Sequence, residues 1–250
     1  MLDRLRGEDG YTLTELLVVC ALFAMIAAGS LGLYKIAQET YTTSYALVDS
    51  QSEARAAIDR MVADFRLAGS FVVGATNAPT AVTSASSSAI TFLADIDGDT
   101  VTSAGAEATA SSASGTSVTV SSATGFTANE YLYIASGITR EVRQISSISG
   151  TTLTLGASLT SVFLTDITVR SVESVAWTYS SNTLTRQVGS ATAEDVATNV
   201  SSFTLTYYDS SNNTTTDASS IRRIKVNLTV GSGSTKRTLE VEVHPVSLSL

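Results

Sequence analysis

The sequence predicts an α+β protein in which one long N-terminal helix precedes a head of antiparallel β-strands that contains an inserted β-rich region. A charge-free apolar run is followed by a proline-free stretch with helical periodicity. After Gly69 the chain is rich in Ser, Thr, Ala and Val, which suits short strands and turns better than helices. Because the helical signal comes first and the strand signals follow together, the elements do not alternate as in an α/β fold.

The first element is a membrane segment. No charged residue occurs from Leu16 to Tyr34, and a helix of about 20 apolar residues crosses a bilayer core of roughly 30 Å. We therefore predict a transmembrane span over residues 13–34. A cleaved secretory signal is an alternative, but residues 1–10 lack the positive net charge such signals have. A lipoprotein signal is a weaker alternative, because Val19 before Cys20 is not a small residue.

A single carboxylate, Glu15, stands at the start of this apolar run. An ionised group next to lipid is unfavourable unless it has a partner, so Glu15 calls for one. The surrounding residues 10–19 read Gly-Tyr-Thr-Leu-Thr-Glu-Leu-Leu-Val-Val. This segment resembles the class III signal of type IV pilins, with a glycine, an aromatic residue, a Thr-Leu pair and a glutamate fifth after the cut. The alternative is an ordinary membrane anchor whose Glu15 lies among the lipid headgroups.

The resemblance implies processing. A prepilin peptidase that is also an N-methyltransferase would remove residues 1–10 by cutting after Gly10 and would methylate the new amine of Tyr11. Glu15 of one subunit would then neutralise the Tyr11 amine of its neighbour inside an apolar filament core. The implied partners are other pilin or pseudopilin subunits and an inner-membrane assembly platform. The implied location is the bacterial inner membrane, with a single pass and the head outside the cytoplasm, and then a pilus or pseudopilus.

The helix is predicted to continue beyond the membrane to residue 69. Apolar residues recur there at three- and four-residue steps, and Gly69 is a suitable C-terminal cap. The end of this helix, residues 51–69, resembles that of the larger minor pilins and of the J-type minor pseudopilin. The first two domain segments are therefore a leader, 1–10, and a helix, 11–69.

The third segment, residues 70–250, is predicted to be the β-rich head. Its strands are predicted at Ala89–Ala94, Ser117–Val120, Tyr131–Ala135, Thr139–Ile148, Thr151–Leu155, Asp166–Glu173, Ser174–Tyr179, Thr183–Gln187, Ser202–Tyr208, Ile221–Val230 and Lys236–Val243. Strict alternation in residues 224–230 predicts a sheet with one face in water. Residues 101–165 are predicted to form the insert, and residues 175–209 resemble the C-terminal sheet of the larger minor pilins.

Composition argues against several functions. The net charge is −8 and the basic residues are scattered, so we expect no direct binding to nucleic acid. His244 is the only histidine and no nucleophile motif accompanies it, so we do not expect an enzyme. Cys20 is the only cysteine, and no disulfide within the chain is possible.

One acidic turn is a candidate metal site. Asp95, Asp97 and Asp99 alternate around Gly98, and such carboxylates can surround Ca²⁺. The helix-loop-helix calcium pattern is not met, because Thr100 stands where its glycine belongs and Ala106 where its last glutamate belongs. A solvated acidic turn is the alternative.

Three functions remain open on the sequence. The first is a minor pilin or pseudopilin that initiates or caps a filament, in a pilus or in a type II secretion system. The second is the major subunit or an adhesive pilin. The third, of another class, is a membrane-anchored β-domain that binds an external ligand and never polymerises.

Overall fold

The computed structural model describes residues 12–96, 108–163, 166–231 and 236–249. The chain divides into two compact units, Met1–Asp49 and Ser50–Leu250. A single helix, α1 (Leu13–Leu67), contributes to both, and all the paired strands of the second unit are antiparallel. The predicted α+β class with one long N-terminal helix and a β-rich head is confirmed.

In the first unit, the large apolar side chains of α1 are exposed from Leu13 to Tyr45. Residues 40–44 are polar but remain helical. Their Ser and Thr hydroxyl groups form hydrogen bonds with carbonyl groups of the preceding helical turn. Thr43 Oγ1 donates to the carbonyl of Glu39 at 2.8 Å, and Ser44 Oγ to that of Thr40 at 2.8 Å. These bonds satisfy the hydroxyl groups within the helix itself.

In the second unit, one face of α1 forms part of the main core. The buried residues follow the three- and four-residue steps of an amphipathic helix: Ala54, Ala57, Met61 and Phe65, continued by Ala68 directly after the helix. Gly69, with φ of +79°, follows the helix in the left-handed conformation that favours glycine. Its N–H donates to the carbonyl of Leu93 at 2.8 Å, which joins the helix end to the sheet.

Thirteen strands are present among the described residues. They are β1 (Val82–Ala85), β2 (Ala89–Ala94), β3 (Ala108–Ser114), β4 (Ser117–Val120), β5 (Tyr131–Ser136), β6 (Thr139–Ser149), β7 (Thr152–Leu155), β8 (Thr168–Ser180), β9 (Thr183–Val188), β10 (Glu194–Ala197), β11 (Val200–Tyr208), β12 (Arg223–Val230) and β13 (Arg237–Val243). Each predicted strand is found. The two runs predicted at 166–173 and 174–179 are one continuous strand, and β1, β3 and β10 were not predicted.

Two groups of strands enclose the main core with α1. One runs β1-β2-β8-β9-β10, and the other is the three-stranded sheet β11-β12-β13. In β12 the residues alternate between buried apolar and partly exposed polar, which confirms the sheet with one wet face. On that wet face Lys225 Nζ pairs with Glu240 at 2.7 Å, and Arg223 with Glu242 at 2.8 Å.

The five strands of the predicted insert, β3 to β7, form a closed six-stranded barrel together with β8. Its strands follow one another in the order β8-β3-β4-β7-β6-β5, and β5 pairs with β8 to close the ring. The barrel has its own core: Val118, Val120, Phe126, Leu132, Ile134, Ile145, Leu153, Leu155, Phe163, Ile167 and Val169. Strand β8 belongs to both parts, since residues 168–172 pair with β5 and residues 173–178 pair with β2. The barrel and the main sheet therefore share a strand.

A buried carboxylate joins the barrel to the loop after α1. Glu141 of β6 is fully buried and accepts hydrogen bonds from the backbone N–H groups of Thr160 and Ser161 and from Asn77 Nδ2, all at 3.0 Å. Arg143 pairs with it at 2.7 Å. Burial alone would raise the pKa of Glu141, but these donors outweigh it and hold the pKa below its usual value.

Candidate functional site

The described part of the candidate assembly site is the start of α1. Thr12 is the N-cap, and its Oγ1 accepts from the backbone N–H of Glu15 at 3.3 Å. In return, Oε2 of Glu15 accepts from the backbone N–H of Thr12 at 2.9 Å. This reciprocal pair is a capping box, which satisfies donors that a helix leaves unpaired at its first turn.

The carboxylate of Glu15 is only partly used by this cap. Oε2 also accepts from Oγ1 of Thr12 at 2.9 Å, so Thr12 supplies two donors to the same oxygen. No residue in the described part of the chain donates to Oε1. Glu15 is exposed at the start of the helix.

The helix that follows presents an apolar surface on all sides. Leu16, Leu17, Val18 and Val19 follow one another around the helix axis, and each is more than half exposed. By length and composition α1 can cross a membrane, and none of its most apolar 18-residue window is buried within the protein. A helix that is hydrophobic all round needs lipid or other helices around it.

The comparison with known families agrees with this geometry. Residues 5–31 match the family model described as the prokaryotic N-terminal methylation motif. The chain carries a type IV pilin-like class III signal. Such a signal implies processing by prepilin peptidase and assembly with other pilins, and it points to a structural subunit. No curated protein and no solved structure matches the chain.

Of the residues predicted at the site, the structure describes only one. Gly10 and Tyr11, at the expected cleavage and methylation site, lie outside the described residues. Glu15 is described and heads the apolar helix. The structure adds Thr12, which was not among the predicted site residues. The pattern that would have found it is the Thr-x-x-Glu spacing of residues 12–15, a known capping-box signature.

The candidate calcium turn is described only at its first residue. Asp95 is buried, and its Oδ2 pairs with Arg170 Nη1 at 3.2 Å. Asp97 and Asp99 lie outside the described residues. Among the residues that the structure describes, no group of three or more His, Cys, Asp or Glu side chains is arranged to hold a metal ion.

A second polar cluster fixes the head to α1. Asp64 of the helix is buried, and its carboxylate pairs with Arg186 of β9 through Nε at 2.6 Å and Nη2 at 3.1 Å. Trp177 of β8 also donates its indole N–H to Oδ2 of Asp64 at 2.9 Å. The pair is bidentate and the indole N–H adds a third donor to the same carboxylate, which is the kind of arrangement in which a buried ion pair is tolerated. No sequence pattern predicts it, since Asp64 lies more than a hundred residues from both Trp177 and Arg186.

Proposed function

We propose that the chain is a structural subunit of a type IV pilus or a type II secretion pseudopilus, and that it acts as a minor subunit that initiates or caps the filament. The observation that carries the proposal is the methylation motif over residues 5–31. The exposed apolar helix, which begins within this match, and the compact β-rich head support the proposal. The proposed segments are the leader 1–10, the helix 11–69 and the head 70–250 with its insert near 101–165.

The proposed assembly step is electrostatic. Prepilin peptidase cuts after Gly10 and methylates the amine of Tyr11, which remains positively charged. Oε1 of Glu15 in a neighbouring subunit accepts from that amine, while Thr12 keeps Oε2 occupied. Both charges would be unfavourable alone in an apolar filament core, so the pair fixes the register between subunits.

The membrane holds the subunit before assembly. Residues 13–34 span the bacterial inner membrane once, and the head lies outside the cytoplasm. An inner-membrane assembly platform then moves the helix from lipid into a bundle of similar helices. Since the surrounding medium stays apolar, this transfer leaves the exposed Leu, Val and Phe side chains in a compatible environment.

The choice of a minor subunit rests on two features. The chain is large and its head contains a barrel with a separate core, which adds bulk to each copy. The resemblance of residues 51–69 to the larger minor pilins favours the same choice. Counting copies per filament by quantitative mass spectrometry separates the two: a minor subunit is present in a few copies, whereas a major or adhesive subunit forms most of the mass.

The test separates processing from docking. In cells with a working prepilin peptidase, Gly10→Trp should leave the leader attached, because a bulky residue does not fit where glycine is expected at the cut. Glu15→Ala should be cleaved normally but should enter sheared filaments at a level reduced at least several-fold. Glu39→Ala is the matched control, since Glu39 is an exposed carboxylate on the same helix. Normal filament incorporation of both Gly10→Trp and Glu15→Ala contradicts the proposal.

A further inference from the structure

The outer edge of strand β13 is unpaired in the part of the chain that the structure describes. β13 is the last strand of the sheet β11-β12-β13, and each of its seven residues pairs with β12. No backbone N–H or carbonyl group of β13 bonds to any other described segment. In an antiparallel pair, successive residues direct their backbone groups alternately toward the partner strand and away from it. The groups of β13 that point away from β12 therefore form an open edge.

The other described strands that end a sheet are protected, whereas β13 is not. Edge strands avoid unwanted pairing by being short, by carrying a β-bulge or by containing proline. β1 and β10 have four residues each, and β1, β10 and β11 all have an interrupted register of the kind that a β-bulge causes. β13 has seven residues, a continuous register with β12 and no proline. Of these four strands, β13 is the best suited to accept another strand.

The two faces of β13 specify what an added strand must carry. Leu239 and Val241 pack against the main core and are only partly buried, so the neighbouring positions of an added strand should be apolar. On the wet face, Lys225 pairs with Glu240 from the β12 side at 2.7 Å, and 55% of the Glu240 side chain is still exposed. A residue inside a sheet has cross-strand neighbours on both sides. A second basic residue can therefore approach Glu240 from the outer edge.

A second copy of β13 does not suit this edge. The one antiparallel register that pairs all seven residues is centred on Glu240 and places two copies of this carboxylate opposite each other. Like charges in that position destabilise a sheet. A shift by one residue places Leu239 opposite Glu240 and mixes the dry and wet faces. A shift by two residues keeps the faces matched but leaves two residues of each strand unpaired. The edge therefore favours a strand of different sequence.

We propose that the outer edge of β13 accepts one strand from a different subunit of the same filament, with apolar residues beside Leu239 and Val241 and a lysine or arginine beside Glu240. Backbone hydrogen bonds supply the attachment and the side chains supply the selectivity, as is usual when a strand is added to a sheet edge. The choice of a filament subunit as the partner rests on the proposed function. Because the added strand comes from another protein, the contact does not propagate, which suits a subunit present in few copies.

A peptide tests the edge on the full chain in detergent micelles. The probe copies residues 223–230, Arg-Ile-Lys-Val-Asn-Leu-Thr-Val, because this sequence already pairs with the other side of β13. Binding is followed by amide hydrogen exchange. We expect every second amide of β13, those that face outward, to exchange about tenfold more slowly when the peptide is bound, with no change in β1. A peptide that only displaced β12 would add no such protection.

Two variant peptides test the chemistry of the contact. Val226→Pro in the peptide removes a backbone donor, and Arg223→Glu with Lys225→Glu removes the charge match, so each variant should bind about fivefold more weakly. Glu240→Lys in the chain should restore binding of the glutamate peptide, which also shows that this chain variant folds. Equal binding of the parent and proline peptides, no added protection in β13, or tighter binding by a peptide of residues 237–243 overturns the proposal.

Filament incorporation in cells tests the partner. Glu240→Lys should lower the amount of this chain in sheared filaments about fivefold. Glu194→Lys is the matched control, because Glu194 also lies on an edge strand, pairs with one basic residue, Arg60 at 2.8 Å, and has 53% of its side chain exposed. Equal incorporation of the two variants overturns the proposal. The N-terminal mass is measured in the same samples, so a chain that begins at methylated Tyr11 and is unaffected by Glu240→Lys refutes only this contact.

Discussion

The buried contact between Asp64 and Arg186 predicts a large loss of stability when one partner is removed. Asp64→Ala leaves the guanidinium of Arg186 charged and nine-tenths buried, and it leaves the indole N–H of Trp177 without an acceptor. Removing one member of a buried ion pair costs about 3–5 kcal/mol. The lost indole bond is part of the same network, so it does not add its full value to that cost.

Trp177 makes the measurement direct, because it is the only tryptophan and lies at the contact. Urea unfolding of the full chain in detergent micelles, followed by its fluorescence, should show a midpoint lower by roughly 1–3 M. Asp59→Ala is the control, since Asp59 is exposed on the same helix, and it should change the unfolding free energy by less than about 0.5 kcal/mol. The double change Asp64→Leu with Arg186→Met should recover most of the loss. An Asp64→Ala midpoint equal to that of the parent would refute the reasoning.

Three further predictions concern the head, each measured by urea unfolding of the full chain. Hydrogen-bond donors hold the pKa of Glu141 in the folded protein below its value in the unfolded chain. The carboxylate therefore stabilises the fold fully at a pH above the unfolded pKa, and this stabilisation is lost as the pH falls through the folded pKa. The stability gap between the parent and Glu141→Gln should therefore shrink in acid, and a constant gap would contradict the assignment. Gly69→Ala should cost about 1–3 kcal/mol, because the added Cβ is strained at φ of +79° and meets two side chains at 3.0 Å. Gly74→Ala has the same backbone strain, but its added Cβ meets open space. It should therefore reduce the unfolding free energy by less than Gly69→Ala does, and equal reductions would exclude the steric clash. Tyr207→Phe should cost about 1–2 kcal/mol through the lost hydroxyl bond to the carbonyl of Ser86 at 2.7 Å, whereas Tyr208→Phe should have little effect.

The elements with strong local signals were predictable from sequence. The apolar run and the helical spacing of Ala54, Met61 and Phe65 give α1, and strict alternation gives β12. Strands β1 and β10 have only four residues each, and β3 (Ala-Thr-Ala-Ser-Ser-Ala-Ser) lacks the β-branched and aromatic residues that mark a strand. Their formation depends on pairing partners that lie far away in the sequence.

The candidate site and the barrel likewise combine features that local sequence indicates with features that only the tertiary structure shows. Glu15 could be singled out from the sequence because a lone carboxylate at the start of an apolar run is unusual, and its role in assembly stays a prediction. The barrel was predictable as a β-rich insert, but its closure was not, because it requires one strand, β8, to pair with β3, β5 and β2 at different positions. The Asp64–Arg186 contact depends on the packed tertiary structure, which local periodicity does not encode.

The central claim concerns the chemistry of the chain start, and an intact mass of the protein purified from its native membrane tests it most directly. The account predicts a single species that begins at Tyr11 and is heavier by one methyl group. A protein that keeps residues 1–10, or one cut near residue 29 and so lacking most of the apolar helix, would contradict it.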